Sequence, residues 1–271
     1  EIEILDGLPI VLPFFISDSL LKNESNLRQA WINVDHCDTV PFYNVKVLPA
    51  DVAETVFVAG GNFYLNFDAG AEKDIRIAKT VVDPTLVFGN VTDFLYPEGF
   101  YESDFHVPDK QADVGITPCG FGYRRIDLAS GDTDTAYTLV GKADSYEALT
   151  DFIEKKLSMP YIEAKIDENR DLIGSLKRHA LTVSGCREFD LYAGQTFLDN
   201  TLRGGYPIRL GDRHVFHVYG RKHGDLEREY NFFQVDSTCF SQGNSHFRDV
   251  NQNRRNDVRF FPYVGDTDLK R

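Results

Sequence analysis

Asn62-Phe63-Tyr64-Leu65-Asn66-Phe67, with its neighbours Phe42-Tyr43-Asn44-Val45-Lys46-Val47 and Thr55-Val56-Phe57-Val58-Ala59, belongs to a series of short alternating apolar runs separated by turn residues. Successive side chains leave a strand on opposite sides, so this period of two predicts half-buried strands. Gly60-Gly61 lies between the last two runs. A glycine pair suits a tight hairpin, and residues 55–59 and 62–67 are therefore expected to pair. Outward from there, Asp83-Pro84, Pro97-Glu98-Gly99, Pro108-Asp109 and Pro118-Cys119-Gly120 punctuate the chain as turns. Many short strands between regular turn signals predict an antiparallel β-sandwich over residues 1–137. One helical insertion is expected at residues 17–34. Ser17 or Asp18 would cap it, and Leu20, Leu21, Leu27, Ala30 and Trp31 would form its stripe.

Near Thr138 the period changes. Asp144-Ser145-Tyr146-Glu147 fits a capping box, and Leu149, Phe152, Ile153 and Leu157 follow at helical spacing. A second helix is expected from Pro160, with Ile162, Ile166, Ile173, Leu176 and Ala180 on one face and Gly185 as its stop. Residues 138–184 thus read as a helical linker. A third helical pattern covers residues 187–202 and ends at Gly204-Gly205. Residues 206–219 then alternate again, as a β-excursion or hairpin around Gly211-Asp212. Strands first and helices afterwards predict an α+β protein of more than one domain, the last covering residues 185–271.

The chain of 271 residues is long enough to bury a substantial core. Its formal charge of -13 argues against nucleic-acid binding, which needs a basic surface. The charge is uneven: residues 203–259 hold ten Lys/Arg against seven Asp/Glu, a balance of +3. A locally basic segment on an acidic body suits the handling of an anion; scattered surface ion pairs would give the same count. Cys37, Cys119, Cys186 and Cys239 are far apart and form no CxxC pair, which suggests unpaired buried thiols in a cytoplasmic protein. No apolar stretch approaches the ~20 residues of a membrane helix. There is no signal-peptide pattern. The chain begins at Glu1 and its only methionine is Met159, so it reads as processed or as a piece of a longer protein.

The candidate chemistry lies in residues 195–257. Gln195, Asp199 and Arg203 recur at four-residue steps and would share a helix face, either as a polar ladder or as an ordinary solvated surface. The glycines that follow are not a phosphate loop, since no Gly-Lys-Ser/Thr comes after them. His214 and His217, with His223 and the acids Asp225, Glu227 and Glu229, loosely resemble the metal spacing of a cupin. On a strand, however, residues three apart face opposite sides, so no metal is expected. Phe247-Arg248-Asp249-Val250-Asn251-Gln252-Asn253-Arg254-Arg255-Asn256 offers almost nothing to bury and many groups that bind polar ligands. With Gln242, Asn244, Arg221, His223 and Asp225 it reads as a site for a hydroxyl-rich or anionic ligand. Asp249 is the leading acid: partial burial beside Phe247 would raise its pKa, and Arg248 would lower it. Alternatively Asp249 pairs with Arg254 or Arg255 in a structural network.

Phe247-Arg248-Asp249-Val250-Asn251-Gln252-Asn253 resembles the aromatic-Arg-Asp-x-x-Gln-Asp motif of the cellobiose phosphorylase family, the inverting glycoside phosphorylases. Asp6-Gly7-Leu8-Pro9-Ile10-Val11-Leu12-Pro13 also resembles an N-terminal segment of large bacterial proteins related to these enzymes. The resemblance implies a β-sandwich, a helical linker and then the start of an (α/α)6-type barrel. It implies Asp249 as general acid, Phe247 as a ring against the sugar, and Arg248 and Gln252 as positioning groups. It implies no cofactor or metal, with inorganic phosphate as co-substrate. A β-linked glucoside or oligosaccharide would be the substrate, and the remainder of a longer polypeptide a partner; a homodimer is compatible with this. Asn253 stands where the family carries a second acid, and Arg254-Arg255-Asn256-Asp257 departs from its pattern. The chain ends before the middle of such a barrel, so it is expected to be the N-terminal part of a larger enzyme and inactive alone. Inverting hydrolysis, with Asp257 or a residue outside the chain as base, is the alternative. A non-catalytic carbohydrate-binding module is the alternative of another class.

Overall fold

The computed structural model describes residues 1–13, 27–47, 53–70, 74–102, 104–212, 214–219, 241–242 and 255–270. The chain divides into two compact units, Glu1–Glu163 and Ala164–Arg271. The first holds β1 (Ile2–Leu8), α1 (Arg28–Trp31), β2 (Asn33–Asp35), β3 (Phe42–Asn44), β4 (Gly61–Ala69), β5 (Ile75–Ile77), β6 (Thr80–Val81), α2 (Pro84–Phe88), β7 (Gly120–Ile126), β8 (Ala136–Ala143), α3 (Tyr146–Lys155) and the start of α4 (Met159–Lys177). The second holds the rest of α4, then α5 (Arg187–Gly204), β9 (Tyr206–Leu210), β10 (His214–Tyr219), β11 (Ser241–Gln242), α6 (Asp257–Phe260) and α7 (Thr267–Lys270). Every strand pairing is antiparallel among the described residues, and the protein is α+β. No helix among the described residues is long and apolar enough to cross a membrane.

β4 organises the first unit. β8 pairs along one of its edges from Gly61↔Ala143 to Asp68↔Ala136. β3 and β5 share the other edge, through Phe42↔Phe63 and Phe67↔Ile77. Both faces are covered, so Tyr64, Leu65, Asn66 and Phe67 are all at 0% exposure. Leu65 and Phe67 pack in one cluster with Leu149 of α3 and Met159 and Ile162 of α4. Tyr64 packs with Val34, Tyr43 and Val82 on the opposite side.

On that side lies the second sheet, of order β1-β7-β6. Gly120, Gly122 and Arg124 of β7 meet Tyr64, Asn66 and Asp68 of β4, two residues apart on each strand. A Cβ at Gly122 would lie 2.3 Å from the Asn66 Cβ, so only glycine permits this approach. The Tyr64 hydroxyl donates to the Asp6 carbonyl at 2.6 Å and accepts from the Gly122 N–H at 3.2 Å. Asn66 donates to the Thr138 hydroxyl at 2.9 Å, which donates to the Asp6 carboxylate at 2.6 Å. At the end of the row the buried Arg124 donates to Asp68 at 2.6 Å and to Asp134 at 2.8 Å. Phe121 faces away, into a cluster with Val81, Phe88 and Phe105.

Several local expectations change. Residues 55–59 do not pair with β4; among the described residues they make the isolated bridge Val47↔Phe57 and a Val58 N–H to Lys46 carbonyl bond of 3.0 Å. Both edges of β4 are taken by other strands, and Phe57 is 79% exposed, so the alternation there has no buried face behind it. The helix expected at residues 17–34 lies partly outside the described residues. Within them it is the single turn α1, followed by β2, because Ile32 and Val34 alternate into the core at 2% exposure each. Ser145, one residue later than a box starting at Asp144, caps α3 by accepting the Ala148 N–H at 3.2 Å. Asp83-Pro84 is more than a turn: Asp83 accepts the Thr85 N–H and Pro84 begins α2. β8 carries strand structure to Ala143, beyond the change of period near Thr138. α4 buries only Met159 and Ile162, with Ile166 exposed.

Two outcomes test this packing. Gly122→Ala should cost about 1–3 kcal/mol through overpacking against Asn66, lowering the urea midpoint with the m-value unchanged. Burial pushes the Cys37 thiol up to about 11 and that of Cys119 higher still, whereas Cys186 is exposed. A raised pKa keeps a thiol protonated and unreactive. Iodoacetamide at mildly alkaline pH should therefore label Cys186 and spare Cys37 and Cys119 until urea is added, as read by peptide mass spectrometry.

Candidate functional site

Phe247, Arg248, Asp249, Asn251, Gln252, Asn244, Arg221, His223 and Asp225 lie outside the described residues. Their flanks lie within. Gln242 sits in β11, opposite Val218 of β10, and β10 pairs with β9 through His214↔Leu210 in the hairpin expected around Gly211-Asp212. His214 and His217 are thus three residues apart on a strand, an odd separation in an element of period two. Beyond the motif, Asn256 precedes α6, which starts at Asp257. Among the described residues no group of three or more His, Cys, Asp or Glu converges as a metal site.

Within the second unit, a cavity of about 460 Å³ opens between α5, the turn at residues 180–182 and residues 256–261. Its size falls within the usual range for small-ligand sites. α5 contributes Phe189, Tyr192, Thr196, Phe197 and Asn200 to the wall. These positions step by three, four, one and three, the pattern of one helix face. α6 and the residue before it contribute Asn256, Asp257 and Phe260. The wall therefore joins aromatic rings to amides, a hydroxyl and an acid. The Thr201 hydroxyl also borders it but is engaged with the Phe197 carbonyl at 2.9 Å.

Ring contacts hold the wall in shape. Phe197 meets Phe260 edge-on at 4.8 Å, and Phe261 lies 4.9 Å from His179 and 5.1 Å from Tyr206. Such aromatic pairs stabilise beyond the area they bury. Phe197, Phe261 and Val264 are the buried centre of the cluster. The Tyr263 hydroxyl ties the C-terminal turn to β9 by donating to the Pro207 carbonyl at 2.6 Å. Before α5, the Ser184 N–H donates to both oxygens of Asp190, at 3.1 and 3.0 Å. That bond holds the Asp190 carboxyl below the ordinary aspartate range.

Asp257 is a residue of the sequence-expected region that reaches the cavity wall. The face of Gln195 and Asp199 does not line it. The lining stripe of α5 was open to detection: its aromatic and amide positions recur at helical spacing from Phe189 to Asn200, overlapped by the more conspicuous polar ladder.

A second concavity, of about 580 Å³ in the first unit, is lined by Asp68, Arg76, Arg124, Arg125, Asp132 and Asp134 among others. Its cations are already engaged. Arg124 bridges Asp68 and Asp134, Arg76 binds Asp68 at 2.7 Å, and Arg125 binds Glu1 and Glu3. This arrangement fastens the loop at residues 127–135 to the sheets.

The chain matches no protein-family model and no curated protein. The assignment of chemistry therefore rests on the residues and the cavity.

Because the Asp190 carboxylate accepts the Ser184 bond more strongly when ionised, acidification should weaken it. In an amide NMR titration the Ser184 resonance should move with a midpoint below 3.8, the ordinary aspartate value, and Asp190→Asn should abolish that titration. A midpoint at or above the ordinary value contradicts the bond.

Proposed function

We propose that this chain is part of a carbohydrate-active enzyme that cleaves a β-linked glucoside or oligosaccharide with inversion, by phosphorolysis. One observation carries the reading: the cavity in the second unit joins an aromatic wall to amide and acid groups, and one side of it begins at Asn256, directly after the Phe247–Arg255 stretch. Rings pack against the C–H faces of a sugar, and amides and acids read its hydroxyls. In this reading the facing β4 and β7 layers are the β-sandwich, residues 138–184 the helical linker and residues 185–271 the first part of an (α/α)6-type barrel.

In this reaction Asp249, as the carboxylic acid, gives its proton to the glycosidic oxygen as the bond to the anomeric carbon breaks. A phosphate oxygen attacks that carbon from the opposite face. The products are an inverted sugar 1-phosphate and the freed acceptor, and the phosphate's surplus proton can restore the acid. A phosphorylase needs a single carboxylic acid, since phosphate replaces base-activated water. Arg248 and the local excess of cations attract the phosphate, while Gln252 and Asn251 position the sugar. Phosphate is a co-substrate, and no cofactor or metal takes part. The enzyme acts in the bacterial cytoplasm.

Asp257 favours a second version. It lines the cavity eight residues after Asp249, where it would serve as base in inverting hydrolysis. Assayed in the polypeptide that carries this chain, sugar 1-phosphate should form only when phosphate is present. Asp249→Asn should lower turnover roughly 10²–10⁴-fold. Release of free sugar without phosphate, lost in Asp257→Asn, would establish the hydrolytic version. An unaffected rate in Asp249→Asn would remove the assignment of the acid.

A further inference from the structure

A ledge of exposed rings lies in the first unit, on the loop that follows α2. Tyr96 is 55% exposed, Tyr101 66% and Leu95 83%. The two tyrosines stack with their centroids 5.3 Å apart and an interplanar angle of 26°. Tyr101 also meets Phe100 at 5.9 Å and a tilt of 52°, so the pair is braced from the core side while more than half of each tyrosine stays exposed.

The loop is built to hold them there. Phe94 and Phe100 point the other way, Phe94 meeting Phe88 at 5.0 Å and Phe100 meeting Phe105 at 5.2 Å, so that both are anchored on the core beneath. Phe94 takes this position at a φ of 59°, a left-handed conformation that costs a bulky residue roughly 1–2 kcal/mol. The Asp93 carboxylate accepts the Leu95 N–H at 3.0 Å, and the Glu98 N–H donates to the Tyr96 carbonyl at 3.0 Å. The Pro97 carbonyl accepts from Phe100 at 3.1 Å and from Tyr101 at 3.3 Å. Alternate aromatic residues of one short segment are thus divided between core and solvent, with the backbone fixed between them.

We infer that Tyr96 and Tyr101 form a binding platform for a neutral oligosaccharide in the first unit. Exposed Asp93, Glu98 and Glu102 flank the rings in a chain of net charge -13. That setting repels phosphate, nucleic acid and anionic lipid. It suits a ligand with no charge, whose C–H faces stack on the rings and whose hydroxyls donate to carboxylates. The inference shares its ligand class with the carbohydrate reading above but occupies a different unit and needs no turnover.

The test is calorimetric titration of the chain with cellohexaose and maltohexaose, alongside NMR of ring-labelled tyrosine. One hexasaccharide should bind and shift the Tyr96 and Tyr101 resonances. Tyr96→Ala/Tyr101→Ala should weaken that binding by roughly tenfold or more, with an unchanged circular dichroism spectrum. Should the double variant not fold, the resonances of the unaltered chain decide. Unshifted Tyr96 and Tyr101 resonances, undiminished binding in the variant, or a self-association that the variant abolishes would each overturn the platform. Sugar at the ledge, with no turnover by the polypeptide that carries this chain, would sink the glycoside-cleavage reading alone, and turnover there with silent ledge tyrosines would sink the platform alone.

Discussion

The contact between β4 and β7 is the constraint on which the first unit depends. Two glycines of β7 let its backbone lie directly against Tyr64 and Asn66, and one hydroxyl group, that of Tyr64, then reaches both Asp6 and Gly122. Two sheets at ordinary separation would leave the buried Tyr64 hydroxyl without these partners, at a cost of about 1–3 kcal/mol. Arg124 closes the same row through Asp68 and Asp134. A buried arginine between two acids adds less to net stability than to specificity, because a slip of β7 by one residue would bury the charge without its partners.

What the sequence discloses and what it conceals follow from the range of the interactions. The hairpin around Gly211-Asp212, the start of α3 to within one residue and the run of α5 are settled by neighbours a few residues away, and they are legible. The partner of β4 is not. Gly60-Gly61 points to the preceding run, yet the strand is claimed by β8, more than sixty residues further on. A local turn signal carries no information about such a distant competitor. α2 was hidden differently, since an Asp-Pro pair opens a helix as readily as a turn. For the site, the Phe247–Asn253 motif carries its meaning in composition, whereas the α5 wall carries its meaning in spacing, masked by Gln195, Asp199 and Arg203 on the same helix.

The second unit is economical in how it makes a concave surface. One face of α5, one turn before it and one short helix near the C-terminus suffice, because aromatic rings fix their relative positions. The polar groups are distributed along the rim of this frame: Thr196 and Asn200 on α5, Asn256 and Asp257 on the other side. Rigid rings carrying adjustable amides are the composition that recognises a ligand with both apolar faces and hydroxyl edges. The first unit separates the same two roles, with rings on its ledge and charges in the cleft around Arg124.

The sharing of one β4 edge by β3 and β5 has a consequence for the protein in solution. Where those two strands leave a gap, the Ala78 N–H reaches the Asn66 carbonyl at 2.9 Å, so the longest strand of the unit offers almost no unpaired backbone. Long apolar strands with open edges recruit copies of themselves and seed aggregates. Here the longest strand of the unit is closed on both sides, by β8 along one edge and by β3 and β5 along the other. Aggregation through β4 would first require β8 or β3 and β5 to detach, which ties resistance to misassembly to the same pairings that define the fold.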